Sequence, residues 1–67
     1  MKIFAERLRE LRQEKGLSML ALSKLIKIGD ASISRWENCQ STVNGEQLII
    51  LAKFFNVTAG YLLGLEN

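Results

Sequence analysis

The sequence predicts an all-α fold, a compact five-helix bundle formed as one domain over residues 1–67. Three observations predict the helices and the single domain. Apolar residues recur three and four positions apart along most of the chain, the repeat that lines one face of a helix. Nowhere do apolar and polar residues alternate over a run bounded by turn residues, as a half-buried strand requires. With 67 residues and no proline, linker or low-complexity run, there is room for one small core near the lower limit for independent folding.

In IFAERLRELRQEKG, the residues Phe4, Leu8 and Leu11 keep helical spacing and Gly16 stops the run, so a first helix is expected over residues 3–15. Ser18 then precedes MLALSKLI, and its hydroxyl can accept from amides of the first turn. Leu22, Leu25 and Ile26 are expected to form the inward face of this second helix. KIGD interrupts the repeat briefly before Ile33 and Trp36 resume it, which predicts a short turn and a third helix over about residues 30–38. After the polar CQSTVNG, EQLIILAKFF supplies Leu48, Leu51, Ala52 and Phe55 as the stripe of a fourth helix. Asn56 can adopt the left-handed conformation that ends it. Thr58 can cap a short fifth helix in AGYLLG, which Gly64 ends.

Composition narrows the function classes. A 48% hydrophobic and 24% charged chain has the balance of a globular protein rather than a disordered one. One cysteine and no histidine allow neither an intramolecular disulfide nor a structural zinc, so no metal and no cofactor are expected. The apolar runs are broken by Lys53 and fall short of a membrane span, and MKIFAERLRE lacks the apolar core of a signal peptide. A cytoplasmic location without membrane attachment is the default expectation. Glu6, Glu10 and Glu14 lie at i+4 steps on one helix surface, expected to be solvated and balanced by Arg7, Arg9 and Arg12. Without a proton-shuttling histidine, paired carboxylates or a glycine-rich phosphate loop, the chain does not read as an enzyme. Its net charge of +2 and pI of about 9.0 permit nucleic-acid binding without demanding it.

Residues 17–38, LSMLALSKLIKIGDASISRWEN, resemble the helix-turn-helix of the phage Cro and repressor family, also called the xenobiotic-response-element family. The resemblance extends over nearly the whole chain: LRELRQEKGLS is similar to that family's first helix, ISRWEN to its recognition-helix signature, and LAKFFNVTAGYLLG to its last two helices. It implies a compact lambda-repressor-like bundle in which helix 2 spans the DNA backbone and helix 3 enters the major groove, and a homodimer that binds a palindromic operator in double-stranded DNA, as a repressor does.

On helix 3, Ala31, Ser34, Arg35 and Asn38 share one face by their spacing, opposite Ile33, Trp36 and Glu37. Arg35 is the strongest base reader available, because a guanidinium can donate two hydrogen bonds to guanine O6 and N7. Ala31 can touch a thymine methyl, while Ser32 and Ser34 can donate to a base edge or a phosphate. Asn38 resembles the family's asparagine that contacts the sugar-phosphate backbone and stabilises the next loop. Trp36 belongs to the core, since a duplex offers it no unstacked base. Glu37 points inward and needs a cation; Arg12, at the edge of helix 1's apolar stripe, is expected to form a structural ion pair with it, as the family commonly does.

Several positions depart from the family pattern. Ser18 and Met19, at the head of helix 2, are expected against the DNA backbone, but Met19 stands where the family usually has a phosphate-binding glutamine, so that contact is lost. Lys27 holds a turn position usually given to glycine, where positive φ costs about 1 kcal/mol, and places a cation near the backbone. Gly29 replaces the usual cap of helix 3, so capping is expected to pass to Asp30; alternatively Asp30 accepts from cytosine N4. Gln40, Ser41, Thr42 and Asn44 can hydrogen-bond phosphates without releasing counterions. Cys39, where the family often has glycine, reads as an inert loop residue, with a thiol sensor as the alternative. Tyr61, Leu62, Leu63 and Leu65 exceed what one short helix can hide and suggest a dimer contact, chiefly Tyr61, Leu62 and Leu65; alternatively Tyr61 and Leu62 close the core. The apolar Met19 and Leu20 and the uncharged loop also suit a protein-binding module. A DNA-binding domain at the head of a longer ligand-sensing regulator is a further alternative.

Overall fold

A computed structural model describes residues 1–67, which form α1 (Lys2–Glu14), α2 (Met19–Ile26), α3 (Asp30–Glu37), α4 (Gly45–Phe55) and α5 (Ala59–Leu63). The helix ends lie within a residue or so of those expected from periodicity. α1 is shifted one residue toward the N-terminus, and Asn38 caps α3 rather than extending it. No helix is long and apolar enough to cross a membrane.

Local chemistry starts three of the helices. Ser18 accepts from the Ala21 amide at 3.0 Å and Thr58 from the Tyr61 amide at 2.9 Å, each satisfying an amide that the first turn leaves free. Ahead of α4, the Asn44 side chain accepts from the Gln47 amide at 2.8 Å while Gln47 Oε1 accepts from the Asn44 amide at 3.3 Å, a reciprocal capping box.

Every helix ends at a left-handed residue: Gly16, Lys27, Cys39, Asn56 and Gly64. At α3 the Gln40 amide donates to Arg35 O at 2.8 Å and the Cys39 amide to Trp36 O at 3.2 Å, the paired bonds of a Schellman turn. Side chains at Lys27, Cys39 and Asn56 hold a geometry for which glycine is favoured.

The core gathers Phe4 and Leu8 from α1, Leu22 and Ile26 from α2, Ile33 and Trp36 from α3, Leu48, Leu51, Ala52 and Phe55 from α4, and Leu62 from α5. Trp36 meets Phe4 edge-on, with ring centroids 6.2 Å apart, so the largest side chain of α3 is anchored on α1. Leu25 does not join this core. It is 57% exposed, because the buried arc of α2 centres on Leu22 and Ile26 with Met19 beside them, and Leu25 lies about 100° around the helix from that centre.

Candidate nucleic-acid interface

α2 and α3 are joined by residues 27–29, and the turn is tied from both sides. Lys27, at φ 60° and ψ 37°, donates its amide to Ser23 O at 2.8 Å. The Ser23 hydroxyl donates to Ile28 O at 2.5 Å. Ser23 was not singled out by sequence reasoning; its place one turn before the left-handed residue is the only signal it carries.

α3 divides sharply by face. Ile33, Trp36 and Glu37 are buried, Asp30, Ala31, Arg35 and Asn38 are exposed, and Ser32 and Ser34 are half-buried. Arg35 makes no hydrogen bond or ion pair through its side chain, so its donors remain available to a ligand.

Glu37 holds this face in place. Arg12 Nε donates to Glu37 Oε2 at 2.7 Å and Arg12 Nη2 to Oε1 at 2.9 Å, while Arg12 Nη1 donates to Leu17 O at 2.8 Å. The hydrogen bonds from Arg12 to Glu37 raise the guanidinium above the usual arginine range, an effect that burial opposes and the carboxylate's charge reinforces. Arg12 thus stays charged at every neutral or moderately alkaline pH. A second cation, missed in the sequence, completes the site: Arg9 Nη2 donates to Glu37 O at 2.8 Å and Arg9 Nε lies 3.4 Å from Oε1. Arg7 stacks over the Tyr61 ring at 4.3 Å and donates to the Tyr61 carbonyl and, at 2.6 Å, to Glu66 O. The expectation that these arginines balance the α1 glutamates is therefore corrected, since none of the three forms an ion pair with Glu6, Glu10 or Glu14. Bonds to carbonyls and to a buried carboxylate offer the guanidinium fixed, desolvated acceptors that an exposed glutamate does not.

The remaining candidate residues are placed as follows. Asp30 lies in the first turn of α3, but the cap position is Gly29 and no side chain accepts there; the expected capping by Asp30 is replaced by its general interaction with the helix dipole. Asp30 sits one position too far into the helix for its carboxylate to reach back as a cap, and its side chain makes no hydrogen bond or ion pair in the protein. Met19 is half-buried and packs its covered side on the core, where an apolar side chain gains from burial, and its remaining surface lies at the head of α2. Ser18 and Asn44 are exposed but commit an oxygen to capping. Gln40 and Thr42 are exposed and Ser41 half-buried in the connection to α4. Asn38 folds back on its own helix, to Ser34, and not onto the following loop. Leu62 is fully buried, which removes it from any dimer contact; Tyr61 is half-buried under Arg7, and Leu65 is 78% exposed.

Known proteins share this arrangement. The family described as Helix-turn-helix matches residues 8–62. The chain is 32% identical over 62 residues to Repressor protein C2 of Salmonella phage P22, covering 92% of this chain and 29% of that protein. It is 36% identical over 64 residues to the HTH-type transcriptional activator BcrR of Enterococcus faecalis, covering 96% and 31%. The chain thus spans about three tenths of the length of these two relatives. A crystal structure of the P22 c2 repressor in complex with a synthetic operator superposes with a TM-score of 0.88 at 30% identity, covering 98% of this chain and all of that one. The solution structure of the P22 c2 DNA-binding domain gives 0.82 at 33% identity, covering 91% and 80%. With two helices locked across a left-handed turn and the second carrying all its unsatisfied side chains outward, the chain belongs to the helix-turn-helix family.

Proposed function

We propose that the chain is a sequence-specific reader of double-stranded DNA, the operator-binding domain of a transcriptional repressor, with α3 laid in the major groove and α2 across the backbone. The observation that carries this reading is Arg35, exposed and without a partner on the outer face of α3. Arg35, Ala31, Ser34 and Asp30 face the bases. Lys27, Ser18, Ser32, Asn38, Gln40, Ser41, Thr42 and Asn44 lie toward the phosphates. No chemistry on the nucleic acid is part of this role, which is exercised with the DNA in the cytoplasm.

Two copies bind together, since one recognition helix reads too few base pairs for a specific site. Leu65, with Leu63 and the edge of Tyr61, is the apolar surface left for that contact. Selection of bound duplexes from a random library tests both parts: a palindromic consensus is expected, and a single unrepeated half-site would remove the dimer. A protein-docking role is the second reading, favoured by Leu20 and Leu25, 53% and 57% exposed on α2. Retardation of no duplex at low salt, together with capture of one polypeptide, would establish it instead.

A further inference from the structure

We infer that Asn44 and Gly45 form a self-modification site, at which the chain converts Asn44 to aspartate and isoaspartate unaided, at a rate set by opening of the α4 capping box. The reaction stands on local geometry alone; its effect on affinity rests on the DNA-binding reading above.

Such a reaction needs an asparagine side-chain amide beside a free and uncrowded main-chain nitrogen. Asn38 and Asn56 are followed by Cys39 and Val57, whose side chains crowd that nitrogen and whose amides already donate, to Trp36 O at 3.2 Å and to Ala52 O at 3.0 Å. Gly45 differs on both counts. It has no side chain, the space where a Cβ would stand is open, and its amide, the first of α4, has no acceptor in the protein. Asn44 and Gly45 are both exposed, so water and base reach them.

Base takes the Gly45 amide proton and the nitrogen attacks Asn44 Cγ. The Cγ–Nδ2 bond then breaks, and the amide leaves as ammonia with one proton added. The five-membered imide takes up one water: opening at Cγ gives aspartate, while opening at the main-chain carbonyl gives isoaspartate, with the chain rerouted through Cβ and Cγ. Ring closure requires Asn44 Cβ and the Gly45 nitrogen to be eclipsed about the Cα–C bond. At ψ 169° they are staggered. Rotation to the reactive angle displaces the groups that hold this angle, the Gln47 amide on Asn44 Oδ1 at 2.8 Å, the Asn44 amide on Gln47 Oε1 at 3.3 Å and the Leu48 amide on Asn44 O at 2.9 Å. Reaction therefore waits for the first turn of α4 to fray, and its rate follows the fraction of time the cap is open.

The two products differ in fate. Aspartate caps as well as asparagine and gains from the helix dipole, so α4 persists with a negative charge added to a connection that contains no cation. Isoaspartate moves the carbonyl on which the Leu48 amide bonds, so α4 loses its first turn. Both replace amide donors turned toward the phosphates with a carboxylate that repels them.

Peptide mapping by mass spectrometry, with the folded chain held in mildly alkaline buffer, tests the site. Conversion at residue 44 is expected, more slowly than in the same chain unfolded in urea. Gln47→Ala removes one of the two cap bonds and should speed conversion by roughly twofold to tenfold, the population effect of one net hydrogen bond. Gly45→Ala fits the open space, keeps the cap and should abolish conversion over the same period. No conversion in the folded chain, equal rates folded and unfolded, or a rate indifferent to Gln47→Ala would each overturn the inference. Asn44→Asp should keep the melting temperature and weaken retention of the selected duplex by about fivefold, the cost of one charge at contact distance from a phosphate in water; undiminished binding would overturn the effect on affinity. Failure of the unmutated chain to retain any duplex would instead overturn the DNA-binding reading itself.

Discussion

Arg12 uses its guanidinium three times, twice on the Glu37 carboxylate and once on Leu17 O. Removing it leaves a carboxylate with a fully buried side chain facing only Arg9, whose side chain is 44% exposed. Loss of one partner from a buried pair costs about 3 kcal/mol, so Arg12→Met should lower the melting temperature by roughly 10 °C or more in a domain this small; an unchanged transition in a thermal melt would contradict the pairing. Arg9→Ala should cost about 1 kcal/mol at most, as a half-exposed partner. Arg35→Ala, by contrast, should leave the melt unchanged while weakening binding to the selected duplex by about 1–3 kcal/mol and relaxing preference at one base pair. Much at this scale was legible beforehand. Glu37 stands one helical turn after Ile33, so its inward direction follows from period alone, and a buried carboxylate calls for a cation. That Arg9 is a second partner does not follow, because three arginines within six positions of α1 all have the reach, and the choice among acceptors is made by how α1 and α3 cross.

α2 and α5 mark where periodicity stops carrying information at the level of the element. MLALSKLI has apolar residues on most sides of an eight-residue helix, so the repeat alone fits Leu25 inward as well as outward; contact with α3 and α4 settles the face. α5 is five residues long, little more than one turn, and cannot tell a buried Leu62 from an exposed Leu63. Helix termini were more legible because capping is local: Ser18, Asn56, Thr58 and Gly64 act at the positions expected. Asn44 was assigned to phosphate because its capping partner lies inside the helix it starts, and the polar loop before it gave no reason to prefer one role. The left-handed ends provide a stability test. Cys39, at φ 58°, should tolerate Cys39→Gly with a gain of up to about 1 kcal/mol and a rise of several degrees in the melt. A fall would mean that the side chain contributes packing that exceeds its strain.

Charge is the property that belongs to the molecule as a whole. Lys24, Lys27 and Arg35 are exposed on and beside α3, and the connection from Cys39 to Asn44 contains no cation. Binding should therefore show a log-log salt slope of about −2 to −3 per subunit; a slope near zero in a salt titration would exclude phosphate neutralisation by these residues. Whole-molecule architecture also explains why the fold was more legible than the site's polarity: eleven buried residues from all five helices define one core, whereas Asp30, Ala31 and Arg35 are held by nothing inside the protein and are placed only through α3. α1 anchors that placement, reaching Glu37 through Arg9 and Arg12 and the C-terminal turn through Arg7. This division has a consequence for descent. If α3 reads DNA as proposed, substitutions at the three unanchored positions change the target without loosening the frame, so such a domain can descend to new addresses on a genome by single steps through folded intermediates.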